Sequence, residues 1–309
     1  IRAVGVERPP KGPMLIAKIE TQAAVENLEG IVETAGAVMV ARGDLGIDYP
    51  LSELPHLQKL IIRRCVARGR PVITATQMLE SMVTSPAPTR AEASDVANAV
   101  FDGSSAVMLS GETAIGADPV NVIRTMSRIA RRADEEMDHE QWAHMLADVR
   151  MTDEEAGAAS VTDAMTMATW RATQELGIEH VLCISGSGFT VRSIARFRPE
   201  AEILGFSVNE ATVQQLSLSW GTLPMLIEPR DSNEDSSPGC SARPCGRCPR
   251  TMIGPFTHVL SVARRLRSCS TGRATPSARR VSVNGWDMLW RCAFFARRTL
   301  WLGASPGAS

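Results

Sequence analysis

No uncharged apolar run in these 309 residues reaches the ~18 that a membrane-spanning helix needs. The first twenty residues, interrupted by Pro9, Pro10 and Pro13, lack the apolar stretch and cleavage site of a signal peptide. There is no internal repeat, and the composition excludes collagen-like, coiled-coil and disordered classes. Net charge is nearly absent as well, since 33 basic and 34 acidic side chains leave −1. That balance hides an asymmetry. Residues 236–309 hold 12 Arg, no Lys and a single acid, Asp287, a net of about +11, whereas the preceding 235 residues carry −12. Cysteine is scarce outside this tail: only Cys65 and Cys183 occur there, a usage that fits a reducing cytoplasm. What is present is 44% hydrophobic residues, enough for a core, over a length that suggests two domains.

From Met14 onward, short apolar runs alternate with longer amphipathic segments. Met14–Ile19, Ala37–Ala41, Pro71–Ala75 and Ala106–Leu109 read as buried parallel strands. Helices are expected near 22–33, 55–68, 90–101 and 119–132. Pro55 suits a first helical turn, and Thr89-Arg90-Ala91-Glu92 is a capping box. The order βαβαβαβα implies a parallel sheet with right-handed crossovers, either part of a barrel or an open doubly wound sheet. Acidic residues 134–155 read as a linker or a crossing helix. A second capping box, Thr152-Asp153-Glu154-Glu155, would open a helix ending near Leu176 at Gly177. Strands 180–184, 202–207 and 223–228, with helices near 189–197 and 210–219, complete a small α/β domain.

The four strand ends share a chemistry. Lys18 and Glu20 close the first, Arg42 and Asp44 the second, Thr74 and Thr76 the third, and Ser110 and Glu112 the fourth. Residues two apart on a strand face one way, so Lys18 and Glu20 can address one site. Two carboxylates on adjacent strand ends are the usual protein share of a magnesium site, and a neighbouring lysine would balance charge on a transferring phosphoryl group or an enolate. A structural Lys–Glu pair would look the same in the sequence. Ala41-Arg42-Gly43-Asp44-Leu45-Gly46 reads as a Gly-rich turn whose amides could hold an anion. Thr76 could orient a proton or, on propensity, cap the segment that follows it. Ser185-Gly186-Ser187-Gly188-Phe189-Thr190, between a strand and a helix, could cradle phosphate or be a plain turn.

Taken together, Leu15–Glu20, Val38–Gly46, Ala75–Met82, Pro88–Glu92 and Met108–Ala114 resemble pyruvate kinase, in that family's order and spacing. The resemblance runs from about Lys11 to Asp235 and includes Ile194-Ala195-Arg196-Phe197-Arg198-Pro199. It implies the last four βα units of a (β/α)8 TIM barrel over 1–137 and a linker or crossing helix at 138–155. It also implies the family's C-terminal α/β domain over 156–235. The implied activity is phosphoryl transfer from phosphoenolpyruvate to ADP, giving pyruvate and ATP. Lys18 would stabilise the transfer. Glu20 and Asp44 would bind Mg²⁺ or Mn²⁺, and backbone around Ala41, Arg42 and Gly43 would hold the substrate carboxylate at a helix N-terminus. Thr76 would serve the protonation of the enolate, with Ser110 and Glu112 as weaker members of that proton network. Ser185, Ser187, Gly188 and Thr190 match a loop that family members use for sugar phosphates, although Phe189 stands where an arginine is common.

Family members begin with four further βα units and a lid domain. With those units go a phosphate-contacting arginine, most K⁺ ligands and much of the nucleotide site. The chain alone is therefore expected to be at best weakly active, and a four-stranded sheet exposes edges that favour aggregation. Competing readings are an inactive fragment that associates with an intact homologue, and a metal-dependent pyruvate-enolate aldolase or lyase. The family assembles as a homotetramer; neither nucleic acid nor membrane is expected as a partner, and the cytoplasm is the expected compartment. Residues 236–309 have no sustained period of 2 or 3.6 and lie outside the resemblance. Cys245-Gly246-Arg247-Cys248 lacks the second pair a zinc site needs. The tail reads as an irregular, out-of-frame segment.

Overall fold

The computed structural model describes residues 13–152, 161–228 and 299–303. Two parallel sheets organise them. The first contains β1 (Ile16–Ile19), β2 (Ala37–Ala41), β3 (Val72–Ala75) and β4 (Ala106–Met108), in that order. Ile19 pairs with Val40, Ala41 with Ala75 and Ala75 with Met108, so all four strand ends come level on one rim. The strands are short because their apolar runs are short, and β3 is buried along its whole length. Among the described residues β1 and β4 have no further strand beside them.

The connecting helices follow the sequence with two differences. The segment expected as one helix over 22–33 breaks at Asn27 into α1 (Gln22–Glu26) and α2 (Leu28–Thr34). Residues expected to form a Gly-rich turn are helical instead, as α3 (Arg42–Asp48). Beyond α4 (Leu54–Ala67), α5 (Arg90–Phe101), α6 (Gly111–Ala114) and α7 (Pro119–Glu135), the acidic segment forms a crossing helix, α8 (His139–Thr152). The Thr89–Glu92 capping box at the start of α5 is complete, with Glu92 N donating to Thr89 Oγ1 at 3.2 Å and Thr89 N to Glu92 Oε2 at 2.7 Å. Glu92 also accepts from Ser81 N at 2.7 Å, which ties α5 to the 3-10 turn at Glu80–Val83.

The second sheet has the order β7 (Thr222–Leu226), β6 (Glu202–Ser207), β5 (His180–Ile184) and β8 (Thr299–Gly303), all parallel. It packs with α9 (Val161–Leu176), α10 (Phe189–Ala195) and α11 (Glu210–Leu216). The expectation of an irregular tail is corrected at β8, which pairs with β5 from Thr299 to Gly303. Strand alternation is weak in that segment, so only the exposed β5 edge makes it legible. The rest of the tail, including Cys245 and Cys248, lies outside the described residues, as does the Thr152–Glu155 box apart from Thr152, which ends α8.

The main core joins both parts of the chain. Ile19, Val38, Val40, Ile61 and Ile62 from the first sheet and α4 cluster with Trp142, Trp170 and Phe197. Burial of one large aliphatic side chain of this kind stabilises by about 1.5–3 kcal/mol. Gly103, at φ +102°, leaves room for the Trp142 ring, since a Cβ there would lie 2.0 Å from it. The Trp142 indole N–H donates to Arg196 O at 2.8 Å. Arg198, at φ +48°, is almost fully buried and donates to Val100 O at 3.2 Å and Ser104 O at 2.5 Å.

Candidate active site

Lys18 leaves the end of β1 between two carboxylates. Its Nζ donates to Asp44 Oδ2 at 2.7 Å and forms an ion pair with Glu20. All three side chains are close to half exposed, so this is no buried structural pair. The hydrogen bond to Asp44, followed by that to Glu20, raises the Lys18 pKa, and the same lysine lowers that of Asp44. Lys18 is thus held cationic and Asp44 anionic across the neutral range.

Asp44 is aimed by α3, whose helical form the local sequence does not announce. Gly43 N donates to Thr76 Oγ1 at 2.9 Å, so a hydroxyl 33 residues downstream caps this helix. Asp44 then lies in the first turn, where the helix dipole favours a negative charge. At the other end Asp48 Oδ2 accepts from Gln22 N at 2.9 Å and fixes the start of α1. Thr76 therefore caps α3 rather than the segment that follows it, and its hydroxyl donates to Ala75 O at 2.6 Å. Thr76 and Gln77 both have positive φ, +69° and +54°, a strain of order 1–3 kcal/mol each.

Arg42 offsets that strain. Its buried guanidinium donates to Thr76 O at 2.6 Å, to Gln77 O at 3.2 Å and to Gln58 Oε1 at 3.3 Å, and pairs with Asp95 at 2.6 Å. The Arg42 side chain is thus a brace behind the rim. Ala41 and Gly43 lie on the same rim, although the Gly43 amide is already engaged by Thr76. Sequence reasoning missed Gln58 and Asp95, because polar residues on amphipathic helices read as solvated.

Glu112 is fully buried, with Oε1 accepting from Leu79 N at 3.1 Å and Oε2 from Ser110 N at 2.7 Å. It staples the β4 end to the segment after Thr76. Ser110, half-buried, precedes α6 without a side-chain cap. The loop from Ser185 to Thr190 lies apart from this rim, between β5 and α10. Gly188 takes the left-handed conformation (φ +75°), Ser187 O accepts from Arg192 at 3.2 Å and Ser185 is buried. Among the described residues no group of three or more His, Cys, Asp or Glu gathers as a metal site, so the Glu20–Asp44 pair is the candidate donor set. Cys65 and Cys183 are buried, which pushes the Cys183 thiol up to about 12 and that of Cys65 higher still.

Residues 1–123 match the family described as pyruvate kinase, barrel domain, and residues 163–240 match pyruvate kinase, alpha/beta domain. The chain belongs to the pyruvate kinase family. Among curated pyruvate kinases, that of Clostridium acetobutylicum is 37% identical over 235 residues, 76% of this chain and 48% of that protein. That of Bacillus licheniformis is 44% identical over 221 residues, 72% of this chain and 37% of that protein. A crystal structure of a pyruvate kinase from Cryptosporidium parvum superposes with a TM-score of 0.65 at 36% identity, covering 69% of this chain and 42% of that one. The chain spans about half or less of the length of these pyruvate kinases. The two parallel α/β parts of the structure agree with the family's barrel and α/β domains.

Proposed function

We propose that the β1–β4 rim is the phosphoenolpyruvate-handling half of a pyruvate kinase site, transferring a phosphoryl group to ADP and giving pyruvate and ATP. The observation that carries this is the Glu20–Lys18–Asp44 constellation, anchored at the rim by α3. Mg²⁺ or Mn²⁺ fits it: two exposed carboxylates on adjacent strand ends supply hard oxygen donors, the number such an ion takes from protein when substrate phosphate supplies the rest. Glu20 and Asp44 would hold the ion, and its charge would offset that of the phosphoryl group in transfer.

This chain's own groups do the remainder. Lys18, freed from one carboxylate, offers a fixed ammonium to the charge that develops on the transferring group. Backbone at Ala41, Arg42 and Gly43 receives the substrate carboxylate. Thr76 stands at the adjacent strand end, where a hydroxyl can pass a proton to the enolate carbon. Ser110 is near enough to the rim to assist. The buried, doubly bonded Glu112 acts by position rather than by exchanging a proton. The Ser185–Thr190 loop is a candidate cradle for an effector phosphate, and K⁺ and a homotetramer follow from the family. A cytoplasmic enzyme fits that chemistry and the two buried thiols among the described residues, Cys65 and Cys183.

The 309-residue chain alone is expected to turn over weakly, because among the described residues its first sheet is open at β1 and β4. A coupled assay of phosphoenolpyruvate- and ADP-dependent pyruvate formation tests both statements. Any turnover should fall about 10²–10³-fold in Lys18→Met, as on loss of a transition-state charge partner. Turnover that Lys18→Met leaves unchanged overturns the site assignment.

A further inference from the structure

A second concentration of positive charge lies away from the Lys18 rim. The turn after α4 (Gly69, Arg70), Ser105 before β4, α10 and the Ser219–Trp220 turn line a small cleft of about 20 Å³, open at its mouth. Four arginines, Arg70, Arg192, Arg196 and Arg198, line it and no Asp or Glu does. Arg70 donates to Val32 O at 3.1 Å and Glu33 O at 3.0 Å, and Arg196 is answered by Asp163 at 2.6 Å. Arg198 uses its donors on backbone carbonyls and lies over the Trp142 and Trp220 rings. Asp134, whose charge acts on Arg198, accepts from the Trp220 indole N–H at 2.9 Å.

Two donors on this cavity are left without a partner. Arg192 is nine-tenths buried; Nη2 reaches Ser187 O, but Nη1 is buried with no hydrogen bond. Ser219 Oγ, also over nine-tenths buried, has none either. Burial, with Arg70 close by, pushes the Arg192 pKa down to about 10. Buried donors without partners beside a like charge are costly, and native proteins ordinarily satisfy them with protein, water or ligand. A doubly charged tetrahedral oxyanion meets both needs, since it offers acceptors in several directions and compensates two cations.

We propose that this cavity is a phosphate site, which takes inorganic phosphate or the terminal phosphoryl group of a small metabolite through Arg192 and Ser219, beside the charge of Arg70. None of the lining residues belongs to the β1–β4 rim, while Arg192, bonded to Ser187 O, borders the Ser185–Thr190 loop. The narrow interior admits the oxyanion and leaves any esterified remainder in the mouth. Occupancy joins the turns of the first sheet to α10.

The test is thermal unfolding of the full chain in inorganic phosphate, against chloride and acetate at equal ionic strength. The expected result is a saturable rise in Tm of about 3–8 °C with phosphate only. Arg192→Met should unfold no lower than the parent without phosphate, because it removes an uncompensated buried charge, and it should lose the rise. Ser219→Ala should weaken the rise, and Lys18→Met should keep it. Calorimetric titration with methyl phosphate separates the sources: binding equal to inorganic phosphate assigns a metabolite ester, and binding of inorganic phosphate alone assigns the free ion. A rise that survives in both Arg192→Met and Ser219→Ala, a rise lost in Lys18→Met, or no saturable rise overturns the proposal.

Discussion

Arg42→Met tests whether the rim is held from behind. The substitution keeps an unbranched apolar stem in the buried space and removes the guanidinium. Thr76 O then loses two donors and Gln77 O one, on a turn with two consecutive positive φ angles. Each buried carbonyl left short costs about 1–3 kcal/mol. Asp95, about a third exposed at 37%, regains water, so its share stays below about 1 kcal/mol. The total is about 3 kcal/mol, and at about 2–4 °C per kcal/mol for a domain of this size Tm falls by about 6–12 °C. Urea unfolding with an unchanged slope measures the loss directly. Asp95→Asn should cost only about 1 kcal/mol, because the carbonyl contacts survive. If Arg42→Met costs less than 1 kcal/mol, or if Asp95→Asn costs as much, the brace is not what holds the turn.

The Lys18–Asp44 pair sets a pH window. Asp44 is depressed from 3.8, so its contribution is full above that value and is lost as pH falls through the lower folded value; Lys18 is raised from 10.5, so its contribution is full below that value and is lost as pH rises through the higher one. An NMR titration of the Asp44 carboxyl should show its midpoint move up in Lys18→Met, and no movement would break the coupling. Burial pushes the Glu92 carboxyl up, but bonds from Ser81 and Thr89 outweigh it and hold the pKa down. Glu92→Ala should therefore cost about 1–2 kcal/mol in denaturant unfolding at neutral pH, and its loss relative to the parent should shrink in acid. Glu112→Gln loses an acceptor to Leu79 N or Ser110 N and should cost about 1–3 kcal/mol. A pH profile of any turnover unchanged in shape would confirm that Glu112 acts by position.

The four strands of the first sheet were legible as continuous apolar runs bounded by breakers, but only β2 and β3 are buried as expected, whereas β1 and β4 are partly exposed. Lys18, Glu20 and Asp44 were legible from strand-end spacing, which the level register of β1 and β2 converts into proximity. The α3 helix was not, because Gly43 and Gly46 disfavour helix locally and its cap, Thr76, arrives from β3. The burial of Glu112, Arg198 and Arg42 was hidden for one reason: charged side chains are read as surface, and their burial depends on backbone partners that only the tertiary fold supplies. The β8 pairing with β5 depends likewise on an exposed edge, whose position no local pattern records.

Arg198 and Trp142 have a consequence for how this polypeptide can be divided. Sequence families draw a boundary between the barrel and the α/β domain, yet Arg198 hydrogen-bonds carbonyls nearly a hundred residues earlier and Trp142 bonds the backbone of Arg196. A segment cut out at that boundary would carry a cation meant for another segment's interior, and would leave an indole-shaped hollow above Gly103 in the remainder. The modules that evolution shuffles are here inherited units, while the piece that melts as one includes both.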